Sequence, residues 1–341
     1  MQIVAAAHDK IGTERHWRGR CSRRQESAPP IQPEPTSGAQ SRSRCQRARR
    51  YNQAAIRLAR KIGKGALNFA GATNVHPTEF HPERRRWAAD AERVRKYAME
   101  LVELKPDIIL ASSSISVAEL LKITRVIPIV FAQVVDPVGA GFVDSLARPG
   151  GNVTGFTLFE YSLSGKWLEL LKEIAPSVSR AAVIRDPTRG PGIGQFAVLQ
   201  VAAASLGVEL RPINPLDTKN MDAAVAKFAG SPNGGLIVTP GGTGFNRDLI
   251  ISLATRHRLP AVYPFRYYVM DGGLVSYGPD TIQQFRRAAG YVDRILRGEK
   301  PADLPVQAPT NYELVINQKA AKTLGIAIPP TLLARADEVV E

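Results

Sequence analysis

From about Trp87 onward, apolar residues fall into two alternating rhythms. Short apolar runs such as Asp107 to Ala111 (DIILA) alternate with longer stretches whose apolar residues recur every three or four positions. The first rhythm reads as buried strand, the second as amphipathic helix. Asp90 to Leu104 shows the helical spacing through Val94, Tyr97, Ala98, Leu101 and Val102, and Lys105-Pro106 ends it. Ser112-Ser113-Ser114 makes the turn after DIILA, and one of these serines suits the N-cap of a helix over Val117 to Lys122. A strand over Ile127 to Phe131 completes a βαβ unit with a right-handed crossover.

The same alternation continues. Helices are expected over Ser164 to Ile174, Gly194 to Leu206, Asp222 to Phe228, Phe245 to Arg256, Thr281 to Arg297 and Lys319 to Leu324. Strands are expected over Val153 to Phe156, Ala181 to Ile184, Val208 to Ile213, Gly235 to Thr239, Pro260 to Phe265, Leu274 to Tyr277 and Tyr312 to Ile316. Steady β and α alternation implies an α/β fold with parallel sheets flanked by helices.

Residues 1–83 follow neither rhythm. Arg, Ser, Gln and Pro dominate Arg15 to Arg50, and such a composition cannot bury enough apolar surface to offset ordering entropy. This segment reads as disordered or non-native. A basic arm that docks on phosphate is the alternative. Charge sharpens the contrast: residues 1–90 carry 18 Lys and Arg against 7 Asp and Glu, or +11, and the remaining 251 carry 27 against 24, or +3. The basic character therefore says little about the partners of the folded body, and no nucleic-acid partner is expected for it. Cys21 and Cys45 both lie in the basic segment; a body without cysteine suits an oxidising compartment. Met1 to Gly12 lacks the basic start and long apolar core of a signal peptide. No apolar run approaches the roughly 20 residues that span a membrane.

Several chemistries have no candidates. His257 is the one histidine beyond residue 81, and it precedes a strand, on the side of the sheet away from ligands. No Ser-His-Asp arrangement, zinc site or cofactor motif emerges. Gly241-Gly242-Thr243-Gly244 opens a helix after a strand, where backbone N–H groups can hold an anion, but it matches no nucleotide fingerprint. In a parallel sheet, ligands bind beyond the strand C-termini. Ser112, Ser113, Ser114, Asp136, Asp186, Thr239, Tyr263, Phe265 and Tyr277 all fall at such ends. Hydroxyls, carboxylates and rings on one rim suit a small polar or zwitterionic ligand. Aspartate would neutralise an ammonium, serines and helix N-termini would hold a carboxylate, and tyrosines would wall the side chain.

VFAQVVDPVGAGFVDSLARPGGNVTGFT, SGKWLELLKEIAP, HRLPAVYPFR, GGLVSYGPD and the run from RRAAGYVDRILRGEKPADLP to the C-terminus together closely resemble the ABC-transporter substrate-binding proteins of the tryptophan/tyrosine type. The resemblance covers about residues 87–341. It implies a two-lobed type I periplasmic-binding-protein fold, periplasmic capture of an amino-acid-like solute in the interlobe cleft, and delivery to an ABC permease and its ATPase subunit by a monomer that is no enzyme. Lobe 1 is expected from residues 84–156 and 272–341, and lobe 2 from 157–271. Residues 1–83 match nothing of the family's first strand and helix, which leaves lobe 1 short of a strand and points to a mis-called start. Two rival readings remain: a doubly wound enzyme acting on a sugar or phosphorylated molecule through Gly241 to Gly244, and a ligand-responsive nucleic-acid-binding regulator using the basic segment.

Overall fold

The computed structural model describes residues 3–6, 66–68 and 91–341, apart from 189 and 242–245. The reading of residues 1–83 therefore lies outside the described residues, except at two short strands. The chain divides into two units, and it passes between them after Ala132, Gly141, Gly155, Gln284 and Pro305.

Unit 1 holds a sheet in the order β2-β1-β3-β4-β5. Its strands are β1 (Ile3–Ala6), β2 (Ala66–Asn68), β3 (Ile108–Ser112), β4 (Ile129–Val134) and β5 (Val153–Thr157). β1 is antiparallel to both of its neighbours, whereas β3 and β4 are parallel. Parallel pairing requires a crossover, and α2 (Ser114–Ile123) provides it. α1 (Ala91–Glu103) packs on α2 and buries Val94, Ala98 and Leu101, the i, i+4, i+7 stripe that its sequence announces. Lys105 ends α1 in the left-handed region at φ 48°.

Unit 2 is built on a seven-stranded sheet in the order β12-β11-β10-β9-β8-β6-β7. β6 (Arg180–Ile184), β7 (Glu209–Ile213), β8 (Gly234–Val238), β9 (Ala261–Tyr263) and β10 (Val275–Pro279) run parallel. β11 (Tyr312–Asn317) turns antiparallel to β10, and β12 (Glu338–Val340) lies parallel to β11.

Successive residues of these strands feed two separate cores. Ala181, Val183, Ile237 and Val262 face a core with α3 (Leu163–Ile174) and α4 (Gly190–Leu206), joined by α9 (Gln318–Leu324) and α10 (Pro330–Arg335). Ala182, Ile184, Leu236 and Val238 face the other core, with α5 (Thr218–Ala229), α6 (Arg247–Arg256) and α7 (Arg266–Met270). The period of two in the strands thus produces a three-layer α/β/α arrangement. α8 (Thr281–Leu296) begins in unit 2 and continues into unit 1.

Two features depart from the expectation. β1, β2, α7, α10 and β12 lie where the sequence signals no regular element, and β1, paired with β3, gives unit 1 a strand from the segment that was expected to leave it short of one. The expected lobe boundary at 272 is also not where the structure divides. Residues 272–284 and 306–341 belong to unit 2, because β10 pairs with β9 and carries β11 and β12 with it.

Trp167 is the largest fully buried side chain of unit 2. It meets the Phe159 ring edge-on at 6.3 Å between centroids and donates its indole N–H to the Tyr277 carbonyl at 2.7 Å. Trp167→Phe should destabilise unit 2 by about 1–3 kcal/mol by leaving that carbonyl unpaired, and Trp167→Ala by about 3–5 kcal/mol. Urea unfolding followed by circular dichroism checks both, with the midpoint falling in that order.

Candidate ligand-binding site

In unit 1, Ser112, Ser113 and Ser114 occupy the junction of β3 and α2, as expected. The Ser112 carbonyl accepts the Ser116 hydroxyl at 2.8 Å, and the Ser113 hydroxyl lies 3.0 Å from the Ser116 oxygen. Ser113 takes the N-cap position with φ 84° and ψ 149°, a conformation that a side chain makes costly, and its hydroxyl does not cap the helix. The first-turn N–H groups of α2 therefore gain no side-chain cap from Ser113.

In unit 2, Asp186 and Thr239 flank one another at the ends of β6 and β8. Thr239 donates both its N–H and its hydroxyl to the Ile184 carbonyl, at 3.0 and 3.1 Å, so it ties the two strands together. Asp186 is 1 % exposed, and one of its carboxylate oxygens accepts the Thr188 N–H at 2.8 Å and the Thr188 hydroxyl at 2.6 Å. Asp136 is exposed in a turn at φ 48°, where it accepts the Gly139 N–H at 2.9 Å. Asp280 closes the start of α8 in the same way, accepting from the Ile282 and Gln283 N–H groups. Each of these aspartates thus does local turn work with one oxygen.

The aromatic residues separate into two roles. Tyr263 is 1 % exposed, stacks on Tyr268 at 5.0 Å and packs against Gly273, so the structure places it in the core rather than on the rim. Burial pushes its phenol well above the usual tyrosine range. Phe265 is half-buried and stacks on Tyr267 at 5.3 Å. Tyr277 is half-buried too and stacks on Tyr312 at 5.9 Å. Burial, with the neighbouring charge of Glu160, raises the Tyr312 pKa.

Three residues at this end of unit 2 escaped the sequence reading. Tyr161 precedes α3, and burial followed by the charge of Asp136 raises its pKa. Tyr312 faces Tyr277 from the antiparallel strand β11, a pairing that no sequence spacing reveals. Arg185 lays its guanidinium 4.6 Å from the Phe196 ring centroid, and its buried Nε has no hydrogen-bond partner. Arg185 sits beside Asp186 in the sequence, and that adjacency was the available signal. Of the Gly241 to Gly244 loop, residues 242–244 lie outside the described residues.

The chain matches the family model described as ABC transporter substrate binding protein over residues 70–340. The chain belongs to that family. The match starts before Trp87, where the resemblance in the sequence begins. A "Tyrosine-binding protein" of Clostridioides difficile is 27% identical over 243 residues, 70% of this chain and 68% of that protein. Among solved structures, a conserved domain protein of Vibrio cholerae is 31% identical, with TM-score 0.67, over 73% of this chain and 84% of that one. An ABC domain of Streptococcus pneumoniae in complex with L-Trp is 25% identical, with TM-score 0.66, over 74% and 84%. As an ABC transporter substrate binding protein, the chain has the type I periplasmic-binding-protein fold.

Glycine governs how α4 of this ABC transporter substrate binding protein meets its surroundings. A Cβ at Gly192 would lie 2.2 Å from the Asp186 carbonyl oxygen, and one at Gly194 would lie 2.8 Å from the Tyr161 ring, whereas one at Gly190 meets nothing within 4 Å. Gly194→Ala should therefore destabilise the protein by about 1–3 kcal/mol, and Gly190→Ala should be neutral or stabilise by up to about 1 kcal/mol. Paired thermal melts check the contrast.

Proposed function

We propose that this protein is the solute-capturing component of an ABC import system, that it binds an amino-acid-like ligand with an aromatic side chain, and that it delivers the ligand to a membrane permease and its ATPase subunit without chemical conversion. The observation that carries the reading is family membership together with the named ligands of its relatives, a tyrosine-binding protein and a complex with L-Trp. A periplasmic or cell-surface site of action accords with that family.

The chemistry of the chain supports the reading. Asp136 offers an exposed carboxylate to an ammonium, and the start of α2 at Ser112 to Ser114 suits a carboxylate. Phe265, Tyr277 and Tyr312 supply half-buried rings, and Arg185 adds a cation beside Asp186. Tyr263 and Thr239 support the edge from within rather than meeting the ligand.

A thermal-shift screen of the full chain against amino acids, sugars and sugar phosphates tests the proposal. L-Tyrosine or L-tryptophan at about 100 times its Kd should add about 2.7 kcal/mol to the stability. No shift with any amino acid would sink the ligand class, and turnover of a phosphorylated sugar would favour the enzyme reading. Asp136→Ala should weaken binding about tenfold or more, the loss expected for a charged hydrogen bond. It should lower the melting temperature only modestly, through the loss of one exposed turn hydrogen bond at a left-handed position. Unchanged affinity by calorimetry would reduce Asp136 to a turn residue.

A further inference from the structure

Several polar side chains of unit 2 are buried without a hydrogen-bond partner, Ser276 on β10 among them, and two of these lie on neighbouring helices. Ser164 and Gln195 are both 0% exposed, and the Ser164 hydroxyl and both amide atoms of Gln195 have no hydrogen-bond partner. Buried amides are almost always paired, by protein, water or ligand. Three such atoms lie on two helices that pack together.

Their placement is specific. α4 leaves the C-terminal end of β6 and returns to the parallel strand β7, so its first turns lie at the strand-end edge. α3 feeds the start of β6, so its own first turn lies at that same edge. The two helices pack together along one core, to which Trp167, Leu171, Leu199 and Ala203 all belong. Gln195 is one turn before Leu199 on that face, and Ser164 is one turn before Trp167. Gly194, adjacent to Gln195, presses on the Tyr161 ring, and Tyr161 accepts the Ser164 N–H at 3.0 Å. Gln195 thus follows the glycine that meets the Tyr161 ring, and Ser164 is the residue whose N–H the Tyr161 carbonyl accepts, so Tyr161 links the two helix starts.

We propose that Gln195 and Ser164 form a specificity subsite in unit 2 for an uncharged hydrogen-bonding group on the captured solute, such as a phenolic hydroxyl. This rests on the ligand-capture reading above. A hydroxyl and an amide can donate and accept but carry no charge, so they can satisfy a neutral group and cannot neutralise an ionised one. In an amino acid at neutral pH, the uncharged polar group is on the side chain. The subsite accordingly reads the side chain and leaves the ammonium and carboxylate to other residues. A ligand without that group leaves the buried pair unsatisfied, which is the physical source of strong discrimination.

Calorimetric titration of the full chain with L-tyrosine and with L-phenylalanine, which differ by the hydroxyl alone, tests this. The unmodified protein should prefer L-tyrosine by at least about tenfold. Gln195→Leu should lower tyrosine affinity by about tenfold or more and leave phenylalanine affinity within about threefold, so that the preference collapses. Ser164→Ala should reduce the preference in the same direction, and it carries the test alone if Gln195→Leu does not fold by circular dichroism. Retention of the full preference in folded variants would overturn the subsite and leave a buried water as the partner of the pair, with ligand capture intact. Equal binding of the two amino acids by the unmodified protein would overturn it as well. Failure to bind either amino acid or L-tryptophan would instead overturn the ligand class, and the subsite with it.

Discussion

Parallel pairing of β6 to β10 is the constraint on which unit 2 depends. A parallel strand cannot return to its neighbour through a tight turn, so each connection must cross a face of the sheet as a helix. With helices on both faces, the inner strands are apolar on both sides, and Ala181 to Ile184 supplies two cores at once, whereas the edge strand β7 exposes Glu209 and Arg211. The same rule brings the strand C-termini and helix N-termini to one edge. Tyr161, Thr239 and the adjacent pair Arg185 and Asp186 come from separate stretches of the chain and reach that edge through chain connectivity.

That constraint also explains what could be read from the residues. Apolar periodicity located β3, β4, β6 to β11 and the longer helices, because each must bury a stripe or a run to exist. The parallel α/β class followed from their alternation. The elements that escaped are those whose stability comes from tertiary contacts. α7 spans Arg266–Met270 and is too short to show a period, and β12 is three residues held against β11. Arg266 adds side-chain ties there, to Glu313 at 3.2 Å and to Glu338 at 2.5 Å. The passage between units after Gln284, rather than at 272, was illegible for a related reason: which sheet a strand joins depends on its partners, not on its own composition.

Site residues were legible as positions and less so as roles. Strand ends placed Ser112 to Ser114, Asp136, Asp186 and Thr239 correctly at loops or edges. Tyr263 has the same sequence position relative to its strand, yet alternation turns its ring inward onto Tyr268. A shift of one residue exchanges the two faces of a strand, and a three-residue strand such as β9 gives too few positions to fix that phase. Pairings between distant segments, such as Tyr277 with Tyr312, leave no local trace at all.

Trp167 gives the fold an optical property. It is the one tryptophan among the described residues, fully enclosed, with its N–H bonded to the carbonyl of Tyr277. An indole in so apolar a setting emits at shorter wavelength than one in water, and its hydrogen bond ends on the residue whose ring stacks with Tyr312. Rearrangement of that tyrosine pair reaches the indole through a single carbonyl. Measured against the emission of Trp17 and Trp87, Trp167 is therefore a built-in fluorescent gauge of this edge, without any attached dye.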